Sequence, residues 1–521
     1  MALNRRWVTV GGIAALLVIA ILCVPIALGP RIKQRLLDAV GERFESQVSI
    51  ESISIAMLPR PRVIGRGMVL RHKGRTDVPP LITIASFSAE ASLIGFLRSP
   101  MHIARVELEG LEINVPPGGM HLPGDDDKKD DGKKDDTKTG SDGPKQSKVV
   151  VASLTSEHAV LRIIRRKPGK SPRIFEIHHL AMQDVGADHP WPFKADLTNP
   201  TPPGNIQTQG TFGPWNADDP SRTPLAADYR FDNADLGVFD GIKGILSSTG
   251  AFSGVLERID VNGKTSVPAF ALSDVGNPVP LEATFHSIVD GTNGNTLLEP
   301  VDALLGRSKI HTSGGVVERE GEDGRTVTLD IVMAEAFLED ILRLAVKGPQ
   351  PPMTGALTLN AKFVLPPGHR DVMDKLRLDG QFAVATARFT KSTVQEKINT
   401  FSTKARGVND DTPDPVVSDF KGRFVMRDGV IHFSEVTFAM PGTRVNVAGT
   451  YVMKSNAIDF RGTVRLDAKL SSLTTGVKSY LLRMVDGLFR HEDITVIPIT
   501  IDGTAEQPAV KLDFGKVVKG G

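Results

Sequence analysis

A chain of 521 residues with 62 Lys and Arg against 61 Asp and Glu, a net charge of +1, is long enough to bury a large core but has no overall basic surplus, which argues against nucleic acid as a partner. Its one cysteine, Cys23, sits in an apolar run, which excludes an intrachain disulfide framework and a multi-cysteine metal site. Fifty glycines and 35 prolines with 6% aromatic residues suit many short strands joined by turns better than a helical bundle.

After the tail MALNRR (1–6), residues 7–29 open with an uncharged run, WVTVGGIAALLVIAILCVPIAL. As a helix rising ~1.5 Å per residue it crosses a hydrocarbon core of ~30 Å. The run predicts a transmembrane anchor built on Trp7, Leu16, Leu17, Ile21 and Leu28. A signal peptidase would find Ala27 and Gly29 at small-x-small spacing, but Pro30 follows directly, and bulky Leu22 precedes Cys23, so an uncleaved anchor is expected. Arg5 and Arg6 on one flank face Arg31, Lys33 and Arg35 on the other, so local charge does not set the orientation. A short tail stays inside, and long following domains translocate largely regardless of charge. In a bacterium this predicts a single pass through the inner membrane, with the bulk of the chain in the periplasm. Next, RIKQRLLDAVGERFES places Ile32, Leu36, Leu37, Val40 and Phe44 on one helical stripe. Such a helix either caps a sheet or lies on the membrane surface.

Residues 30–123 then read as strands and turns, from VSIESISIAML to IARVELEGLEINV. The stretch GDDDKKDDGKKDDTKTGSDGPKQSK (124–148) has no apolar residue, cannot offset its ordering entropy, and is expected to be a solvated, disordered loop at a boundary. Strand grammar resumes over a central region, 149–410, with helical spacing in AEAFLEDILRLAVKG, and continues in a carboxy-terminal region, 411–521. There, SLTTGVKSYLLRMVDGLFR predicts an amphipathic helix with Leu473, Leu481, Met484 and Leu488 on its apolar stripe.

The hairpin just before that helix alternates by parity. Val445, Val447, Ile458, Phe460, Val464 and Leu466 fall on a dry face, opposite Asp459, Arg461, Thr463, Arg465 and Asp467. A packed helix, a second sheet or a lipid chain would each satisfy such a face. The nearby helix favours core for this hairpin, so strands between Val149 and Val267 are the better places for an open apolar groove.

A search for chemistry finds little. Metalloprotease and nucleophile-elbow motifs are missing, and GKTS (263–266) lacks the upstream glycine of a phosphate loop and is flanked by strand-like sequence. His178 and His179 are adjacent in a strand and so point to opposite faces. Paired catalytic carboxylates leave no sequence signature. The expectation is a non-enzymatic protein with no cofactor and no metal.

Several phrases carry a resemblance. The anchor followed by VSIESISIAMLPRPRVIGRGMVLR and PPLITIASFSAEASLIGFLRSPMHIARVELEGLEINV resembles the amino-terminal region of the AsmA-like family of bacterial envelope proteins. From Gly422 to Phe514, DGVIHF, PGTRVNVAGTY, IDFRG, KSYLL and IPITIDGTAEQP are similar to the AsmA-like carboxy-terminal domain. The resemblance implies a mainly β protein: an anchor helix followed by an elongated, open, antiparallel, taco-like β-groove with a few packed helices. It further implies outer-membrane biogenesis by handling phospholipid or another acyl lipid along that groove, as in the larger TamB- and YhdP-type members. A non-catalytic scaffold that binds envelope proteins or affects lipopolysaccharide assembly is the other reading. The chain is short for a conduit that bridges two membranes alone.

Overall fold

The computed structural model describes residues 33–41 in part and, apart from short gaps, 46–91, 100–115, 149–390, 418–466 and 495–519. The residues expected to form the anchor, Trp7, Leu16, Leu17, Ile21 and Leu28, the charged segment 124–148, and the residues expected to form the amphipathic helix, Leu473, Leu481, Met484 and Leu488, lie outside them. Among the described residues, no helix is long and apolar enough to cross a membrane. They are mainly strand, as expected, and divide into two compact units. One takes the described residues of Met1–Ala234, Ser247–Gly263 and Ile288–Gly294; the other takes those of Asp235–Leu246, Lys264–Ser287 and Asn295–Gly521.

The first unit is a sheet of β1 (Ser46–Ala56), β2 (Arg62–His72), β3 (Ile82–Glu90), β4 (Met101–Ile103), β5 (Arg105–Val115), β6 (Val149–Ile163), β7 (Arg173–Val185), β8 (Trp191–Pro200), β9 (Pro203–Phe212) and β10 (Leu225–Asp235). Pairing is antiparallel from β1 through β2 and β3 to β5, and again from β6 through to β10. The uniformly antiparallel expectation is corrected in the middle, where β5 and β4 both run parallel to β6. Parallel neighbours need a crossover connection. The chain leaves β5 at Val115, level with Ile163, and must return about 45 Å at ~3.3 Å per residue to enter β6 at Val149, level with Met101. The charged segment read as a boundary therefore joins two strands of the same unit.

Regular alternation fails in these strands in a coordinated way. Val106 and Ile113 are seven residues apart, an odd spacing that would put them on opposite faces of a regular strand. Both nevertheless lie on the inner face, because β5 takes one extra residue at Gly110, where φ is +62°. The same displacement occurs in β2 at Gly67 (φ +63°) and in β6 at His158 (φ +55°). β3 reverses at Ala85, which is the exposed break between Ile84 and Phe87 and touches the place a Cβ on Gly110 would occupy. Because each strand gains its residue at the same level, register is preserved across them. A row of bulges bends and twists a sheet. The row ends between β7 and β8, where the register shifts by one between Ile177 and His179.

The second unit contains β11 (Ile242–Lys243) and parts of β12 (Ile245–Val255), β13 (Arg258–Leu272) and β14 (Val279–Val289). It continues with β15 (Thr296–Leu305), β16 (Ser308–Glu318), β17 (Arg325–Phe337), β18 (Met353–Leu365), β19 (Arg377–Phe389), β20 (Ser418–Arg427), β21 (Val430–Met440), β22 (Thr443–Val452), β23 (Ala457–Leu466), β24 (Thr495–Thr504), β25 (Pro508–Leu512) and β26 (Val518–Lys519). From β15 to β25 each strand pairs antiparallel with the next. Helix α1 (Leu338–Ala345) lays Leu338 and Ile341 on the unit's core. It is fastened by Asp340, which accepts hydrogen bonds from the Arg307 amide and from the buried Ser308 hydroxyl, both at 2.9 Å. A short helix, α2 (Val372–Lys375), precedes β19.

Phenylalanine rings run across the inner face of this unit. Phe382 meets Phe420 at 5.2 Å between centroids, and Phe433 meets Phe460 at 5.5 Å, with Phe424 and Phe438 joining the series. The rings lie over cross-strand glycines: Phe382 is in register with Gly422, Phe424 with Gly380 and Phe460 with Gly449. A Cβ on any of the three would stand within about 3 Å of its ring. These three glycines thus serve close approach of rings to backbone rather than turns.

Candidate functional site

In the first unit, the aligned bulges bring apolar residues from many strands onto one concave surface. One row runs in register from Ile55 through Val63, Ala89, Val106, Leu154, Met182, Phe193 and Gly210 to Ala227. A second runs Val48, Leu70, Ile82, Ile113, Leu161, Phe175. Wherever one strand contributes to both rows, its two residues are seven apart, so both rows face inward only because of the bulges.

The surface encloses a cavity of about 480 Å³, lined by Ala89, Val106, Leu154 and Met182 of the first row and Leu70, Ile82, Ile113 and Leu161 of the second. Val40, from the helical stretch 33–41, also lines it, and with Leu37 packs on the sheet's core. This is the packing of a helix that caps a sheet. Trp191, Phe212 and Trp215 complete the lining, with ring centroids 5.9 Å apart for the first pair and 6.2 Å for the second. The Trp191 indole N–H is turned away to the Ala187 carbonyl at 3.0 Å. Thr223 supplies the lining's one hydroxyl, which already accepts the Asn216 amide at 3.1 Å. No side chain of the lining carries a charge.

Titratable groups of this unit lie elsewhere. Glu112 and Arg162 pair in a bidentate contact across the parallel β5–β6 seam, one of its two hydrogen bonds at 3.1 Å. The hydrogen bond from Arg162 holds the Glu112 carboxyl below the usual range, and Glu112 in turn raises Arg162. Neither lines the cavity. His178 and His179 take separate partners, Thr198 and Glu157, each at 2.7 Å. Among the described residues no cluster of His, Cys, Asp and Glu is placed to hold a metal. GKTS lies inside strand β13, with no turn to cradle a phosphate.

The hairpin singled out by its alternation belongs to the second unit. Val445, Val447 and Val464 are 2%, 3% and 1% exposed and form part of its core, and Phe460 packs on them half-buried. Val445 faces Val464 across the ladder, and half-buried Ile458 faces Tyr451. Leu466 is in register with Thr443, and its side chain is outside the described set. None of the six lines the cavity of the first unit. The cavity residues were harder to see in sequence because bulges break their period. Their signal is an apolar alternation that resumes on the other parity after a Gly, as in VELEGLEINV.

What this arrangement can do follows from its lining. With no charged side chain in the lining and Thr223 as its one hydroxyl, it offers mainly dispersion and the hydrophobic effect, and its volume lies within the range of small-ligand sites. No known family profile, curated protein or solved structure matches the chain.

Proposed function

We propose that the first unit holds the acyl chain of a lipid in its apolar trough, and that the protein handles phospholipid in a bacterial envelope as an AsmA-like, inner-membrane-anchored periplasmic protein. The observation that carries this reading is the lining of the ~480 Å³ cavity: apolar side chains from neighbouring strands in register, with its one hydroxyl already bonded to backbone. Each methylene taken from water into such a space contributes roughly 0.8 kcal/mol. A ten-carbon stretch would therefore supply about 8 kcal/mol before the costs of binding. A sugar or peptide would leave polar groups unpaired there. The expected anchor at Trp7–Leu28 would keep the trough beside a membrane source of lipid, and no catalytic group is required.

The test is transfer. Full-length protein added to donor and acceptor vesicles should accelerate movement of a pyrene-labelled phospholipid between them. Transfer at the protein-free rate, from a chain that circular dichroism shows to be folded β, would refute the reading and leave the trough as ordinary core.

A further inference from the structure

The near-neutral total charge conceals a local excess in the second unit. A cavity of about 230 Å³ opens where strands β18, β19 and β20 end, lined by the Pro366–Gly368 turn and by Arg370, Asp374, Lys375, Arg377, Arg427 and Asp428. Four cations thus face two carboxylates, and both carboxylates are already engaged. Arg370 donates to Asp428 at 3.0 Å, and Lys454 donates to Asp374 at 2.7 Å. The Lys375 ammonium donates to the Gly368 carbonyl at 2.7 Å, which leaves its charge uncompensated. Among the described residues, the side chains of Arg377 and Arg427 have no hydrogen-bond or ion-pair partner. The β19–β20 register, which pairs Leu378 with Met426, makes these two arginines direct cross-strand neighbours. Like charges placed so repel one another.

The walls are held in place by the fold. Arg427 enters the two-residue Asp428–Gly429 turn, whose φ values of +49° and +73° suit a tight hairpin. The Met453 amide donates to the Gly429 carbonyl at 3.0 Å, and the Arg370–Asp428 and Lys454–Asp374 contacts tie three successive connections together. Two unengaged guanidinium forks beside an ammonium, on a braced turn cluster, match the charge and the bidentate geometry that a phosphoryl group accepts.

We infer that this strand-end pocket binds a phosphoryl dianion, either a free phosphate or phosphomonoester or the phosphomonoester headgroup of a lipid, through Arg377, Arg427 and Lys375. The assignment is independent of the acyl-chain reading. It is tested on the full chain with Arg377→Gln/Arg427→Gln against Arg423→Gln, a control on the same strand outside the pocket. Inorganic phosphate is titrated in low-salt buffer, and binding is compared between phosphatidylcholine vesicles with and without phosphatidic acid. Wild type and the control should bind phosphate, or gain binding from phosphatidic acid, and the double variant should lose at least about tenfold in affinity. Response to phosphate identifies a soluble ligand, and response only to the doped vesicles identifies a headgroup. Without phosphate, the double variant should melt at or above the wild-type temperature, because a repulsive pair has been removed. A double variant that binds like wild type, a wild type that responds to neither probe, or a double variant that melts well below wild type would overturn the assignment, the last because it makes the arginines structural.

Discussion

Leu154 sits in the middle of the longer apolar row, between Val106 of β5 and Met182 of β7, and its side chain lines the trough half-buried. Replacing it with lysine separates folding from binding. In the empty trough the ammonium can reach water along its stem, so the cost to the fold is mainly the lost half-burial of a leucine, about 1 kcal/mol. With an acyl chain in place the ammonium must be desolvated without a partner, a penalty of several kcal/mol. At about 1.4 kcal/mol per decade, affinity should fall by more than about a hundredfold. The control is Ala152→Lys, two residues away and exposed on the same strand, which should bind as wild type. Displacement of a fluorescent fatty acid measures affinity, and urea unfolding measures stability. If Leu154→Lys binds the probe as Ala152→Lys does, the trough is not where the chain sits.

Other substitutions test the packing that shapes the two units. A Cβ on Gly65 would stand 2.2 Å from the Phe87 ring, so Gly65→Ala should cost about 1–3 kcal/mol in urea unfolding, and Phe87→Leu in the same chain should recover part of it. Removing the Asp340 carboxylate takes the acceptor from the Arg307 amide and leaves the Ser308 hydroxyl, which is 0% exposed, with only the Phe337 carbonyl at 3.4 Å to donate to; Asp340→Ala should lose about 1 kcal/mol, read as a lower melting temperature. The Glu112–Arg162 pair gives a pH dependence. Because the Glu112 carboxyl is lowered by its hydrogen bond to Arg162, its contribution is present above the unfolded carboxylate value and is lost as pH falls through the folded one. The pair is partly exposed, so Glu112→Gln should cost no more than about 1 kcal/mol near neutrality, and the difference from wild type should vanish in acid below the carboxylate range.

Strand content was legible in the sequence because short alternating runs between glycines and prolines have few other solutions. The hairpin was legible in its pairing and its parity: Val445 faces Val464, and Val445, Val447 and Val464 are buried as their parity requires. The trough was only half legible. Strands after Val149 were favoured for a groove, and β6, β7 and β8 do line it, but β2, β3 and β5 contribute as much. Parity misses such strands, because a bulge at Gly67, Ala85, Gly110 or His158 moves half of each strand to the other phase. The parallel β5–β6 pair was hidden for a different reason. Pairing between segments separated by a long charged stretch is set by the register of whole strands and leaves no local mark. The charge cluster at Arg377 and Arg427 was invisible, since the two arginines are distant in the chain and meet only through the β19–β20 ladder.

Lipid occupancy of the trough is tested most directly by purifying the full-length protein, extracting it with organic solvent and identifying what comes out by mass spectrometry, with Leu154→Lys treated in parallel. An acyl lipid should come out in near-stoichiometric amount from the wild type and be lost from the variant. A folded wild type that yields no lipid, or a variant that yields as much as the wild type, would contradict that occupancy.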